Sequence, residues 1–293
     1  MRLYGLAVQE INRRNMMLMS GLGLLGAGAL AAPRAQAQPA RPQAPAAPLP
    51  AEPPGAAPSL LFFDEFDGPA GSAPDSANWS IATARETIKN PVFWDRPENM
   101  GQYRNDREHV FVDGNSNLVI RATRNDDGKY VSGKVQGNWR GGMGTTWEAR
   151  IKLNCLTAGC WPAWWLSNSD DPKVGGEIDL MEWYGNGEWP SGTTVHARPD
   201  GTSFATHPFP VDGDWHLWRV SWTDRGLYFW QDYAPGKEPY FEVPAFSIDD
   251  WPFNNPGYTM FPVLNLAVAG SGGGDPAGGD YPAEMLVDWV RVF

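Results

Sequence analysis

Apolar and polar residues alternate along much of this chain, and no long stretch holds a helical period. The second half of Trp215-His216-Leu217-Trp218-Arg219-Val220-Ser221-Trp222 places an aromatic or aliphatic side chain at every other position, the spacing of a strand with one buried face. Thr223-Asp224-Arg225-Gly226 then supplies turn residues before Leu227-Tyr228-Phe229-Trp230-Gln231, which predicts a hairpin. Further strands are expected over Asn117–Thr123, Thr145–Leu153, Met260–Ala269 and Met285–Phe293, the last carrying the strand to the final residue. Many short strands separated by Gly/Pro-rich turns indicate an all-β sandwich or barrel.

The N-terminal pattern is different. Arg13-Arg14 precedes an apolar, glycine-rich run from Met16 to Ala32, and Ala35-Gln36-Ala37 follows as an A-x-A cleavage pattern. Residues 1–37 therefore read as a secretory signal peptide, with paired arginines like those of a twin-arginine export signal. A membrane anchor is the alternative. The run is short against the ~20 residues a spanning helix needs and holds several glycines, so export and an extracellular location without a stable membrane anchor are expected. Residues 38–58 are nearly all Ala, Pro and Gln, a composition that suits a semi-extended linker. Residues 59–293 remain as one domain.

Export changes the charge. The full chain carries a formal net charge of −11. Residues 1–37 hold Arg2, Arg13, Arg14, Arg34 and Glu10, so 19 basic and 33 acidic residues remain, a net charge of −14. A surface this acidic disfavours nucleic acid and sulfated or uronate polymers as partners and suits a neutral ligand. Export also bears on the two cysteines, Cys155 and Cys160. In an oxidising compartment they are expected to close one short disulfide. A metal pair is disfavoured because no histidine or second cysteine pair stands at zinc-ligand spacing.

The candidate chemistry lies in Gly176-Glu177-Ile178-Asp179-Leu180-Met181-Glu182-Trp183. As a strand, this segment puts Glu177 and Asp179 on one face and, if regular, Glu182 on the other. Like charges on one face repel, and the neighbours Ile178, Leu180, Met181 and Trp183 do not describe a solvated edge. Calcium would draw its ligands from a loop. A β-bulge at Leu180-Met181 would return Glu182 to the face of Glu177 and Asp179, giving two carboxylates to flank a substrate and a third between them, the equipment of a glycosidase. Among fifteen tryptophans, Trp139, Trp161, Trp183 and Trp189 sit beside turn signals where rings could line a groove and stack on sugars. Core packing is the alternative for each.

These residues carry a resemblance. Glu177-Ile178-Asp179-Leu180-Met181-Glu182 fits the E-x-D-x-x-E signature of family 16 glycoside hydrolases. Trp161-Pro162-Ala163-Trp164-Trp165-Leu166 is similar to that family's WPAFWxL segment, and Trp147–Lys152 to its FEARIK strand. Phe63-Asp64-Glu65-Phe66 and Asp288–Val292 resemble its opening and closing strands. Within the family the chain is most similar to laminarinase-type bacterial endo-1,3-β-glucanases. The resemblance implies a β-jelly-roll sandwich of two curved antiparallel sheets with the substrate in a concave cleft. It also implies a retaining mechanism, with Glu177 as nucleophile, Glu182 as general acid/base and Asp179 as helper. Substrate contacts are implied for Trp161, Trp165, Trp183, Trp139, Arg107 and His196, with a hydrogen-bonded core histidine as the alternative for His196. The chain departs from the family where Arg107-Glu108-His109-Val110 stands in place of R-P-E-N-V, so that His109 replaces an asparagine. No metal is implied in the chemistry, but a structural calcium is, at Glu65, the backbone near Gly114, and Asp288.

The sequence thus leads to a secreted, monomeric hydrolase of internal β-1,3-glucosidic bonds in laminarin-like glucans, acting on a neutral β-glucan. Other neutral β-glycans, such as mixed-linkage glucan or an agar-type galactan, form an alternative substrate class. A lectin-like or surface interaction protein on the same fold is the alternative from outside the enzymes.

Overall fold

The computed structural model describes residues 59–83, 101–168, 175–198 and 202–293. The expected signal peptide and linker lie outside the described residues. Among the described residues, eighteen strands form two sheets. The ten-stranded sheet runs β16 (Phe241–Pro244), β15 (Gly226–Gln231), β14 (Trp215–Thr223), β9 (Thr146–Asn154), β18 (Ala283–Val292), β5 (Leu118–Arg124), β6 (Tyr130–Ser132) and β3 (Gln102–Tyr103). In this sheet β1 (Phe62–Asp64) pairs with β18, and β4 (Val110–Val112) with β5. The eight-stranded sheet runs β13 (Phe204–Pro208), β12 (Gly192–His196), β11 (Glu177–Glu182), β10 (Cys160–Ser167), β17 (Thr259–Val268), β7 (Lys134–Gly137) and β2 (Trp79–Ile81), with β8 (Gly141–Gly142) on β17. All pairings are antiparallel except β3 with β6.

The alternating segments became strands for the reason the pattern suggested. Trp218, Val220 and Trp222 of β14 and Trp147, Ala149, Ile151 and Leu153 of β9 are buried on one face. They meet Trp164, Leu166, Ile178, Leu180 and Met181 of the opposite sheet in a single core cluster. Burying each of these large side chains contributes roughly 1.5–3 kcal/mol. Strand β18 changes phase midway: Met285 and Val287 point inward, then Val290 and Val292, with a register shift between Val287 and Trp289 that makes Asp288 the inserted residue. The opening and closing strands pair, Phe62 opposite Val292, and the expected β14–β15 hairpin closes with Thr223 opposite Gly226.

Two expectations are corrected here. Cys155 and Cys160 are free, buried thiols, not a disulfide. Both belong to the core cluster. Burial pushes the Cys160 thiol up to about 12 and the Cys155 thiol well above its usual range, and Cys160 Sγ contacts Tyr281 Oη at 3.8 Å. The residues proposed for calcium do not fit a cation. Glu65 receives two bonds from Arg291 at 2.9 and 3.0 Å, Asp288 receives one from Arg150 at 2.5 Å, and Gly114 lies against Ala70. A guanidinium already supplies the positive charge at each carboxylate.

At the start of β14, His216 is held between Asp232 (Nδ1, 2.7 Å) and Asp212 (Nε2, 3.0 Å). Burial works against the charged ring, but the hydrogen bonds and charges of the two aspartates outweigh it, and the His216 pKa is raised. The stability this ring contributes should be fully present below the unfolded value near 6.5 and should fade as pH rises through the higher folded value. Comparing thermal unfolding of wild type and His216→Gln between pH 5.5 and 8.5 should show the gap narrowing as pH rises. A gap constant with pH would count against this assignment.

Candidate active site

Residues opposite each other in antiparallel strands share a face, so the registers show which side chains line the outer face of the eight-stranded sheet. Glu177 stands opposite Ser167 on β10 and His196 on β12. Asp179 stands opposite Trp165 and Thr194, and Glu182 opposite Ala163 and Gly192. On β10 these partners are two residues apart each time, yet on β11 the interval from Asp179 to Glu182 is three. The extra residue falls where Trp164 pairs with Met181 and Trp165 with Asp179, so Leu180 is bulged. Leu180 and Met181 both turn into the core, 1% and 0% exposed, and Glu182 returns to the face of the other two acids. The bulge expected at Leu180-Met181 is therefore present, and the three carboxylates share one face.

Each acid has its own surroundings. Glu182, buried, receives Trp161 Nε1–H on Oε1 at 2.9 Å and Tyr184 Oη–H on Oε2 at 2.6 Å. Asp179 is buried, with His196 Nε2 at 3.2 Å from Oδ2, and the same nitrogen lies 3.8 Å from Glu177 Oε1. Glu177 is the most open of the three. One ligand atom from each of Glu177, Asp179 and His196 lies within 4.8 Å of the others, so the buried His196 stands beside the acids.

Gly176 admits Glu177 to this position. Its φ is +98°, and a Cβ there would stand 1.7 Å from Tyr258 Oη, which donates to Gly175 O at 2.7 Å. Gly176→Ala should lower stability by about 1–3 kcal/mol through left-handed strain and this clash, read by thermal or urea unfolding. Adding Tyr258→Phe should recover part of the loss; wild-type stability in the single variant would contradict the packing described.

The remaining residues named from sequence separate into two groups. Trp161 and Trp165 lie on the outer face with the acids. Trp165 Nε1–H donates to Asn265 Oδ1 at 2.7 Å, and one ring face of Trp161 is covered by Gly272, where a Cβ would come within 2.3 Å. Trp189 meets the Tyr184 ring edge-on at 5.3 Å, beside Glu182. Trp183 and Trp139, by contrast, pack against the core. Trp183 follows Glu182 and takes the opposite face; Trp139 stacks on Phe62 and tilts against Trp147. For these two, core burial outweighed a place in the groove. Arg107 donates to Asn105 at 3.1 Å and holds a buried Nη1 that no partner answers; no bond joins it to the acids among those described. His109 is buried between Asp106 and Thr123 in the β4–β5 region, away from the acid strand.

Sequence reasoning missed Tyr184, Asn265, Thr194, Gln136 and Lys134. Register puts the last four on the same outer face. A polar Asn265 inside Val263-Leu264-Asn265-Leu266 and the alternation Lys134-Val135-Gln136 were the available signals.

This arrangement has known counterparts. A family model described as "Glycosyl hydrolases family 16" matches residues 98–275. A β-1,3-glucanase from Mycobacterium marinum is a similar solved structure: 64% identity, 81% of this chain and 100% of that one, TM-score 0.75. Another, from Mycobacterium tuberculosis, is described as an immunostimulatory antigen and pseudo β-1,3-glucanase: 68% identity, 80% of this chain and 98% of that one, TM-score 0.74. A glucan endo-1,3-β-glucosidase A1 from Niallia circulans is 28% identical over 83% of this chain and 39% of its own length, so this chain spans well under two thirds of that relative. With the jelly-roll sandwich and the shared face of Glu177, Asp179 and Glu182, the match over residues 98–275 makes this chain a member of glycosyl hydrolases family 16.

Proposed function

We infer that the chain is an exported, retaining endo-β-1,3-glucanase that cleaves laminarin-like glucans. The observation that carries the reading is the Leu180 bulge, which brings Glu182 to the face of Glu177 beside a row of polar and aromatic side chains. Glu177, the more open carboxylate, attacks the anomeric carbon. The bond from that carbon to the bridging oxygen breaks as Glu182 gives its proton to the departing sugar. In the second half, water attacks the same carbon, Glu182 takes its proton, and the bond to Glu177 is released. Asp179, next to His196, holds Glu177 in place. The Mycobacterium marinum and Niallia circulans relatives support the β-1,3 linkage by name, and the acidic net charge supports a neutral polymer.

Laminarin should yield short oligosaccharides early, and EDTA should leave the rate unchanged, because both half-reactions are assigned to carboxylates. A panel of soluble β-glucans scored by reducing ends tests this. Glucose released solely from chain ends, or no cleavage of any β-glucan, would sink the reading. A second reading has one specific support: the Mycobacterium tuberculosis relative is described as a pseudo β-1,3-glucanase. On that reading the same face binds glucan without cutting it, and the panel would show laminarin retention with no new reducing ends.

A further inference from the structure

Glu182 must hold a proton at one stage of the cycle and be a carboxylate at the next. Its two hydrogen-bond partners differ in what they tolerate. Trp161 offers Oε1 an indole N–H, which can only donate. Tyr184 offers Oε2 a hydroxyl, which donates to a carboxylate and can turn to accept from a carboxyl. Tyr184 is also firmly placed. Trp183 N–H donates to Pro162 O at 3.2 Å, Gly185 N–H to Cys160 O at 2.8 Å, and Asn186 N–H to Gly272 O at 3.1 Å. The backbone on both sides of Tyr184 is thus fastened to β10, which carries Trp161, and to the helical turn Gly270–Gly273 behind it. The Tyr184 ring lies between Trp161 (centroids 5.8 Å) and Trp189 (5.3 Å), and its hydroxyl reaches a buried carboxylate at 2.6 Å.

We propose that Tyr184 is the positioning residue for the general acid/base, holding Oε2 of Glu182 in both protonation states while Trp161 fixes Oε1. It touches no reacting atom and acts through Glu182. A charge-assisted bond of this length is strong and directional, so losing it frees the carboxyl to rotate away from the bridging oxygen.

The consequence for rate rests on the glucanase reading; the hydrogen bond does not, and the two are tested separately. In protein labelled with ¹³C at tyrosine Cζ, the signal that disappears in Tyr184→Phe should move with pH. That movement should vanish in Glu182→Gln. A Tyr184 signal indifferent to Glu182→Gln overturns the proposal. In kinetics, Tyr184→Phe should lower kcat/KM on laminarin by roughly 10–100-fold, a part of the ~10²–10⁴-fold that general acid–base catalysis supplies. On a dinitrophenyl β-laminaribioside, whose leaving group needs no proton, kcat/KM should change less than about threefold, since that ratio reports the first half-reaction. Equal losses on both substrates would mark a structural role and overturn the proposal. An inert wild type whose Tyr184 signal still follows Glu182 would overturn the glucanase reading and support the pairing.

Discussion

Glu177→Gln and Glu182→Gln should each lower turnover on laminarin by on the order of 10⁴-fold or more, with unfolding temperatures close to wild type. On the proposed retaining mechanism the two groups act as a unit, one forming and releasing the bond to the sugar, the other moving the proton, so removing either should stop the cycle. The structure explains why the fold should survive. Glu177 is partly open to solvent. At position 182 a glutamine can keep its amide oxygen under Trp161 Nε1–H and turn its NH₂ toward the Tyr184 hydroxyl, which can accept. Asp179→Asn should cost less. Azide should rescue Glu182→Ala on an activated aryl glycoside and give the β-glycosyl azide. Full activity in Glu177→Gln would remove that residue from its assigned role.

The second large effect is on stability, on the far side of the molecule. Arg219 and Glu148 are both buried, 6% and 7% exposed, and joined from Nε to Oε1 at 2.5 Å across β14 and β9. The Arg219 guanidinium also lies 3.6 Å from the Tyr233 ring centroid. Arg219→Ala should destabilise by about 3–5 kcal/mol, because a buried carboxylate loses its hydrogen-bonded guanidinium. For a domain of this size that is roughly a 10 °C fall in unfolding temperature. Pairing Arg219→Met with Glu148→Leu should restore much of it, since two apolar side chains carry no desolvation penalty. A single variant within about 1 kcal/mol of wild type would show that the pair contributes little.

Where one face of a strand is solvated, alternation marked it in the sequence: β14, β9 and β18 were legible to within two residues. Strand β10 was hidden because both its faces are covered, Trp164 and Leu166 by the core and Trp161 and Trp165 by the site, leaving a nearly continuous apolar run. Strands β12 and β13 carry Thr194, His196, Phe204 and Thr206 on the outer face, and polar Thr193 and His207 share the other face with Val195 and Ala205, so no clean apolar period forms. The acids were legible because three carboxylates among Ile178, Leu180 and Met181 make no sense in a core, and the register puzzle they posed had one local solution, the bulge at Leu180. The partners of Glu182 were only half legible. Trp161 belonged to a recognisable segment, but Tyr184 is brought in by backbone bonds to Cys160 and Gly272 that no local pattern announces. The tryptophans Trp139 and Trp183 failed because a turn signal shows where a ring begins, not which face it takes.

Glu177 and Glu182 share one face, and on the proposed mechanism they act together on one glycosidic bond. Retention requires their carboxyl groups about 5–5.5 Å apart, whereas inversion needs roughly 6.5–9.5 Å to admit a water. The most direct measurement is proton NMR of laminarin during the first minutes of cleavage, before mutarotation mixes the anomers. The β-anomer of the new reducing end should rise first and the α-anomer follow; an α-anomer rising first, or no reducing end at all, would overturn the retaining assignment of Glu177 and Glu182.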